Sequence, residues 1–326
     1  MDQLRIGVLG AARINRNGIV NPARAVPEVT VAAVAARDPG RAREFAAKHG
    51  VPVVHRDYEA LLADPELDAV YIPLPNGLHE QWTLRALAAG KHVLCEKPLT
   101  SNAEQARRVQ AAADGSGLVV MEAFHYRYHP LIRRVEQLLA EGAIGPVRHV
   151  RSAMCFPLPR FGDIRYNLAL AGGATMDAGC YAIHVLRLLG GGEPQVVSAA
   201  AKLRSPGVDR AMTAQFRFEG GATGQMTASM WSSKLLDFAA FVEGERGSIR
   251  IPMYLMPSVW PRFTLVRDGR RTVEKVPGEA TYTHQLRAFA DAVLRGAPVL
   301  TPPADSVANM TVIDAVYRAA GLDLRP

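Results

Sequence analysis

Residues 4–15 read LRIGVLGAARIN, and this stretch decides the fold of the N-terminal part of the chain. A short apolar run ends at Gly10, and small residues follow it where a helix is expected to begin. In a dinucleotide-binding fingerprint, the second and third glycines would stand at Ala12 and Asn15. Small residues let the backbone approach a pyrophosphate, and a helix N-terminus offers it N–H groups. The predicted cofactor-binding residues of this turn are Gly10, Ala11, Ala12, Arg13 and Ile14.

Downstream of this turn, apolar runs alternate with helical patterns. The strand patterns cover residues 4–10, 29–36, 69–74, 91–96 and 118–124. Asp38, followed by Pro39, is expected to cap a helix that Gly50 closes. Nearly continuous apolar strands joined by helices predict a parallel sheet covered on both faces. The predicted fold class is therefore α/β Rossmann, a doubly wound parallel sheet that binds ligands beyond the carboxyl ends of its strands.

The end of the second strand pattern distinguishes between the nicotinamide cofactors. A site selective for NAD places a carboxylate there to accept a hydrogen bond from the ribose 2′-hydroxyl. This chain has Ala36 followed by Arg37, with Arg41 one helical turn later. A small residue leaves room for a 2′-phosphate, and arginine supplies the opposite charge. NADP is the predicted cofactor. The alternative is that Arg37 only stacks on adenine, in which case NAD binds as well.

The pattern changes after residue 124. From residue 195 onward apolar and polar residues alternate, and Asp268-Gly269 stands between two such runs as a type I′ hairpin signal. We predict an NADP-binding Rossmann domain over residues 1–124. An α+β domain with a large, open, mainly antiparallel sheet follows over residues 125–326, its last helix (304–320) packing back on the body. An open sheet face is suited to a second subunit, which predicts a homodimer or homotetramer.

Composition limits the classes of partner. The chain has 326 residues, 48% hydrophobic and 21% charged, as in a folded protein of two domains. No apolar run approaches the roughly 18 residues of a membrane span, and no signal peptide opens the sequence. The three cysteines have no metal-ligand spacing, so we predict no metal and reduced thiols in the cytoplasm. The net charge of +7 comes from scattered arginines, so neither nucleic acid nor membrane is a predicted partner.

One helix opened by two glycines carries three polar residues on one face. Asp177, Tyr181 and His184 stand at positions i, i+4 and i+7. They are either a functional set or structural residues, with the tyrosine and histidine hydrogen-bonded in the core and the aspartate packing or capping a helix. Spacing alone leaves both interpretations open.

Several segments together resemble the glucose–fructose oxidoreductase / inositol dehydrogenase family over nearly the whole chain. They are GVLGAARI, VAAVAARD, DAVYIPLPNGLHEQWTLRALAAGKHVLCEKPLT, MEAFHYRYHP and GGATMDAGCYAIH. Within the family, the chain is similar to the branch of dihydrodiol dehydrogenases, NADP-dependent xylose dehydrogenases and sugar 3-ketoreductases. The Glu-Lys-Pro strand end combined with the Asp-x-x-x-Tyr helix is a specific pair of motifs.

The resemblance implies roles for the strand end at residues 96–98. Glu96 would contact the nicotinamide ribose, and Lys97 would lie beside the reacting carbon and hydrogen-bond the substrate hydroxyl. Pro98 would follow a cis peptide bond. The other implied cofactor contacts are Pro73, Leu74, Asn76, His79 and Arg127.

The resemblance also implies that Tyr181 is the general acid/base. Inositol dehydrogenase-like members carry histidine at this position, whereas a tyrosine resembles the dihydrodiol and ketosugar reductase branch. His184 falls where those relatives often have another polar residue, so its role stays open. A free phenol titrates near ~10, and the Lys97 ammonium would lower that pKa. Asp177 would bind substrate hydroxyls or orient the lysine. Four loop residues either line the mouth of the pocket or belong to a solvated loop: Arg160, Asp163, Arg165 and Tyr166.

The expected activity is that of an NAD(P)-dependent oxidoreductase. It would transfer hydride between nicotinamide and a carbinol or carbonyl carbon of a sugar, polyol or dihydrodiol. One alternative is an NAD-dependent glycoside hydrolase that recycles a tightly bound cofactor; Tyr181 with Lys97, and the arginine after the second strand, argue against it. A second alternative is a non-catalytic nucleotide- or sugar-sensing regulator, but such relatives tend to lose the lysine that this chain keeps at position 97.

Overall fold

The structure, a computed structural model, describes residues 3–326. The chain divides into two compact units, each assembled from segments that are distant in sequence. The first unit runs up to Thr100 and includes Glu104–His125 and Tyr282–Ser306. The second consists of Ser101–Ala103, Tyr126–Thr281 and Val307–Pro326. The division into domains at residues 124 and 125 stays a prediction about domain organisation.

A six-stranded parallel sheet forms the centre of the first unit. Its strands are β1 (Leu4–Leu9), β2 (Val29–Ala35), β3 (Val53–Val54), β4 (Ala69–Ile72), β5 (His92–Cys95) and β6 (Val120–Glu122). They are arranged in the order β3-β2-β1-β4-β5-β6, and every neighbouring pair is parallel. The strand order reverses between β1 and β4, which is the switch point where dinucleotides bind in this architecture. The predicted doubly wound sheet is confirmed.

Helices cover this sheet because its strands are apolar on both faces. They include α1 (Asn21–Ala23), α2 (Pro39–His49), α3 (Tyr58–Leu62), α4 (His79–Ala88) and α5 (Ala103–Ser116). The core between sheet and helices contains Leu61, Trp82 and Val109, all buried. The predicted cap of α2 is confirmed, since the Asp38 carboxylate accepts the N–H of Gly40 at 2.8 Å.

An eight-stranded sheet dominates the second unit. Its strands are β7 (Val147–Cys155), β8 (Gln195–Ser205), β9 (Val208–Arg217), β10 (Thr223–Ser229), β11 (Ala240–Gly244), β12 (Gly247–Ile251), β13 (Arg262–Arg267) and β14 (Arg270–Lys275). The order is β14-β13-β12-β11-β7-β10-β9-β8, and only β7 and β10 pair in parallel. Asp268 and Gly269 have φ angles of 49° and 77°, which confirms the predicted hairpin turn. The mainly antiparallel sheet is confirmed.

The remaining helices are α6 (Pro130–Ala140), α7 (Cys180–Gly190), α8 (Thr281–Arg295) and α9 (Pro303–Ala319). A π-helical turn, Thr175–Gly179, leads directly into α7. This helix packs on the sheet of the second unit, where Ser152 Oγ of β7 donates to the carbonyl of Ala182 at 2.7 Å. Among residues 3–326, no helix has the length and apolar character that a bilayer crossing requires.

Candidate active site

The turn after β1 is shaped to receive a phosphate group. Gly10 has a φ angle of 111°, which favours glycine, and Asn15 Nδ2 donates to its carbonyl at 2.7 Å. Asn15 therefore ties the turn together where a fingerprint would have its third glycine. Within residues 3–326, no hydrogen bond engages the backbone N–H groups of Ala11, Ala12 and Arg13. These groups suit a pyrophosphate, so the turn fits the predicted cofactor. Ile14 lies in the same turn, before the helical segment.

Two arginines lie near this turn at the end of β2. Ala36 is buried, whereas Arg37 and Arg41 are exposed. The Arg41 Nη2 donates to the carbonyl of Ala11 at 2.9 Å, so the start of helix α2 lies beside the turn that follows β1. Burial raises the pKa of Tyr58, whereas a hydrogen bond with the Arg37 backbone and the charges of Arg37 and Arg41 oppose that shift. Arg37 and Arg41 provide the positive charge that a 2′-phosphate needs.

His79 connects the loops that follow β4 and β5. Its Nδ1 is 2.7 Å from the carbonyl oxygen of Pro98, and its Nε2 is 2.7 Å from that of Leu74. Two carbonyl acceptors favour a protonated ring, but burial outweighs them and lowers the pKa of His79 to about 4, with a further contribution from Lys97. The predicted contacts Pro73, Leu74 and Asn76 thus belong to a loop that His79 fixes.

The Glu-Lys-Pro segment stands directly after β5, at the carboxyl edge of the sheet. Glu96 is buried, and its Oε1 accepts the hydroxyl of Tyr71 at 2.7 Å. Burial, followed by the Glu96 carboxylate, raises the pKa of Tyr71 well above its ordinary value. The Lys97–Pro98 peptide is cis, which confirms that implication of the resemblance.

The ammonium of Lys97 influences both histidines near it in the first unit. Burial is the main reason that the pKa of His125 falls to about 3, and the positive charge of Lys97 lowers it further, as it does for His79. A positive charge at this end of the sheet is suited to stabilise a negative oxygen. The hydrogen bond of Tyr71 to Glu96 could not have been predicted from the sequence, because Tyr71 stands in an apolar strand pattern like any other buried strand residue.

In the second unit, the helix face predicted from spacing is buried. Asp177, Tyr181 and His184 are exposed by only 9%, 3% and 3%. Asp177 pairs with Arg165, whose Nε lies 3.1 Å from its Oδ2, and Arg165 Nη1 lies 3.1 Å from Asp163 Oδ1. The Asp177 carboxylate is the main reason that the pKa of Arg165 is raised; burial opposes this shift, and Asp163 adds to it. The structure thus brings three predicted substrate residues together: Asp163, Arg165 and Asp177.

Tyr126 is a residue that the sequence analysis missed. Its hydroxyl lies 2.5 Å from His184 Nδ1, and its ring centroid is 6.1 Å from that of Tyr181. His184 is therefore hydrogen-bonded in the core, which corresponds to the structural interpretation that the spacing left open. Tyr126 precedes Arg127 in the HYRY segment, and this adjacency was the only available signal.

The other predicted substrate residues differ in their surroundings. Arg127 is buried and its Nη1 lies 2.8 Å from Glu136 Oε2. Tyr166 is buried in an apolar cluster, and its hydroxyl donates to the carbonyl of Leu158 at 3.0 Å, so packing accounts for its position. Arg160 is exposed.

Comparison with known proteins places the chain in one family. Residues 4–124 match the model of the GFO/IDH/MocA oxidoreductase family with an NAD-binding Rossmann fold, and residues 132–250 match the GFO/IDH/MocA C-terminal domain. The D-xylose 1-dehydrogenase (NADP(+)) 2 of Haloferax volcanii is 38% identical over 318 residues, covering 97% of each chain. The dTDP-3,4-didehydro-2,6-dideoxy-alpha-D-glucose 3-reductase of Actinomadura kijaniata is 34% identical over 320 residues, covering 97% of this chain and 96% of the reductase.

A solved structure extends this similarity to three dimensions. The 3-ketoreductase of Actinomadura kijaniata in complex with NADP and TDP-benzene has a TM-score of 0.89 at 33% identity, covering 99% of each chain. The predicted family, branch and fold class are thus confirmed, and the names of these relatives support the prediction of NADP. The chain belongs to the GFO/IDH/MocA family of NAD(P)-dependent oxidoreductases.

Proposed function

We propose that this oxidoreductase prefers NADP(H) and acts on a carbinol or carbonyl carbon of a sugar, polyol or dihydrodiol. The relatives named above act on xylose and on a nucleotide-linked ketosugar, and a trans-1,2-dihydrobenzene-1,2-diol dehydrogenase of Bos taurus is 32% identical over 335 residues. The observation that carries the proposal is the position of Lys97, which follows β5 at the carboxyl edge of the parallel sheet.

The cofactor would be held by residues that converge on that edge. The turn at Gly10 offers backbone N–H groups to the pyrophosphate, and Arg37 with Arg41 would bind the 2′-phosphate. Glu96, held by Tyr71, would accept from the nicotinamide ribose. The bound nicotinamide supplies or accepts the hydride of the reaction.

The chain's own residues would manage the proton and the charge on the substrate oxygen. In the reductive direction, Tyr181 Oη would give its proton to the carbonyl oxygen that becomes a hydroxyl. In the oxidative direction the same phenol group, as phenolate, would remove that proton. The Lys97 ammonium would stabilise the negative charge on the substrate oxygen and on the phenolate. Asp177, oriented by Arg165, would bind neighbouring substrate hydroxyls.

The test of the function is a substrate panel. Pentoses, hexoses, polyols and trans-dihydrodiols are offered with NADP⁺ and NAD⁺, and ketosugars with NADPH, while the absorbance of reduced nicotinamide is followed. We expect net oxidation or reduction with at least one class, faster with NADP(H). Glycoside cleavage without any net change in nicotinamide absorbance would instead favour the hydrolase alternative. Binding of sugar and nucleotide without turnover of any kind would favour the regulator.

Cofactor selectivity gives a separate prediction. Replacing Arg37 by alanine removes one charge-assisted contact to the 2′-phosphate, and we expect a roughly 10-fold weaker NADPH affinity with that of NADH unchanged. Titration of NADPH and NADH fluorescence measures both constants. Arg43→Ala is the matched control, since Arg43 is an exposed arginine of the same helix α2. Equal affinities of the wild-type protein for the two cofactors would contradict the assignment.

We also propose that the second unit's sheet forms the interface of a homodimer or homotetramer. Helix α7 packs on this sheet, whereas Thr213, Gln215 and Arg250 on its strands are exposed. The Arg151 guanidinium lies 5.3 Å from the centroid of Phe241, at the edge of a cavity of about 340 Å³. Light scattering should give a mass of two or four chains, reduced by Phe241→Glu, and a monomeric wild-type protein would refute the interface.

A cytoplasmic location stays a prediction from composition.

A further inference from the structure

The penultimate residue of the chain forms a buried ion pair in the second unit. Arg325 is 2% exposed and Asp209, in strand β9, is 0% exposed. Arg325 Nη2 lies 2.7 Å from Asp209 Oδ1, and Arg325 Nε donates to the carbonyl of Gly172 at 2.8 Å. Its guanidinium carbon lies 4.0 Å from the ring centroid of Tyr317, whose hydroxyl donates to the same carboxylate at 3.2 Å. Charges buried this deeply are tolerated only when such partners satisfy them.

The second oxygen of Asp209 holds the start of the helix that bears Asp177 and Tyr181. Asp209 Oδ2 accepts both the backbone N–H and the hydroxyl of Thr175, each at 2.7 Å. Thr175 is the first residue of the turn that leads into α7, and the preceding residue, Ala174, provides no side-chain cap. Asp209 therefore caps this helical segment from another strand, where a carboxylate complements the positive end of the helix.

The contacts around Asp209 and Arg165 explain why two glycines precede this helix. Gly173 has a φ angle of 137°, and a Cβ there would collide with the Asp209 carboxylate and lie 2.8 Å from Arg325 Nη2. A Cβ on Gly172 would lie 2.6 Å from the carbonyl oxygen of Arg165. Arg165 also pairs with Asp177, so the loop, the helix start and the ion pair form one connected set of contacts.

We propose that Arg325, acting through Asp209, is a positioning residue for the helix that carries Asp177 and Tyr181. Without the guanidinium, Asp209 is a buried charge that has lost its main compensation, and it can no longer hold the Thr175 N–H in place. The first turn of the helix then loosens, and the side chains that it carries are displaced. The functional consequence rests on the proposed role of Tyr181, because a displacement of about 1 Å matters only for a group that touches the reacting atoms.

The experiment compares Arg325→Met with Arg187→Met in the full-length protein. Arg187 is a suitable control because it is also a buried arginine of the second unit, lies in α7 itself, and pairs with Glu193 at 2.7 Å near the other end of the helix. Three quantities are measured: kcat and KM, NADPH affinity, and amide hydrogen exchange over residues 174–181. For Arg325→Met we expect kcat to fall by roughly 10- to 100-fold with unchanged NADPH affinity, and exchange at the helix start to accelerate. Arg187→Met is expected to lower Tm but to leave kcat and the exchange at residues 174–181 near those of the wild type.

Milder variants keep the proposal testable if Arg325→Met does not fold. Thr175→Val removes only the hydroxyl bond to Asp209, and Arg325→Lys keeps the charge but loses the second contact to Gly172. Each should give a kcat between those of the wild type and Arg325→Met, with faster exchange at residues 174–181.

The outcomes separate this proposal from the proposed function. Wild-type kcat and wild-type exchange in these variants, or equal losses in Arg187→Met, would overturn the positioning role. If exchange is faster with unchanged kcat and Tyr181→Phe is inactive, the positioning role is overturned; if Tyr181→Phe is then also active, the acid/base assignment is the one that fails. A lowered kcat with exchange as slow as in the wild type would mean that Arg325 affects turnover by another route. That result would also overturn the proposal.

Discussion

Lys97→Met is expected to lower kcat by about 10³-fold, and Tyr181→Phe by 10²- to 10⁴-fold, with NADPH affinity within about 2-fold of the wild type. The methionine keeps the length of the side chain and removes the charge that would stabilise the substrate oxygen. The phenylalanine keeps the ring and removes only the hydroxyl that would transfer the proton. Steady-state kinetics with the best substrate of the panel, combined with fluorescence titration of NADPH, measure both effects.

Two controls replace the same residue types at other positions of the chain. Lys91 is a buried lysine that donates to the carbonyls of Asp64 and Leu67 at 2.7 Å, so Lys91→Met should cost stability and leave kcat unchanged. The hydroxyl of Tyr254 finds no hydrogen-bond partner among residues 3–326, and Tyr254→Phe should leave both stability and kcat unchanged. Wild-type kcat in both Lys97→Met and Tyr181→Phe would show that the acid/base assignment is wrong.

Acidification is expected to destabilise the protein well before its carboxylates titrate. The folded-state pKa values of His79 and His125 are about 4 and about 3, below the ordinary value near 6.5. The unfolded chain therefore binds more protons than the folded one as soon as the pH falls below about 6.5, so unfolding becomes more favourable. Each histidine should lower the free energy of unfolding by about 2 kcal/mol between pH 7.5 and 5.

Urea denaturation at pH 7.5, 6.5, 5.5 and 5.0 tests this dependence. The His125 ring stacks on Tyr282 with centroids 4.0 Å apart, so His125→Phe retains an aromatic ring at that place without a titrating group. Its free energy of unfolding should fall by about 2 kcal/mol less than that of the wild type over this range. A variant that loses as much stability on acidification as the wild type would exclude His125 as a cause.

Local features of the fold were predictable from the sequence because their signals are local. The strands of the parallel sheet, the Asp38 cap and the Asp268-Gly269 turn each depend on residues that are neighbours in sequence. Strand β3 escaped detection because its two valines, Val53 and Val54, are too short a run for any periodicity. The parallel pairing of β7 with β10 escaped because pairing partners are chosen by the whole sheet and not by either strand.

The candidate site was predictable in its motifs and not in its supporting contacts. Spacing and resemblance identified the helix with Asp177 and the strand end with Lys97. Nothing local linked Glu96 to Tyr71, 25 positions away, or Arg325 to Asp209, 116 positions away. Such pairs form because burial forces each charge or hydroxyl to find a partner, and the fold decides which partner is within reach.

Glu122, at the end of β6, shows when the nucleotide-binding unit can be completed on the ribosome. Its backbone N–H and carbonyl bond to Thr301, 179 residues later, and its carboxylate accepts from Ser306 and from the N–H of Leu99. Synthesis proceeds from the N-terminus, so the bonds of β6 to Thr301 and Ser306 cannot form until residues 301–306 have been made. A fragment that stops at residue 125 contains β6 but lacks the later residues that bond to it. A cofactor-binding unit moved to another protein must therefore carry residues 282–306 as well.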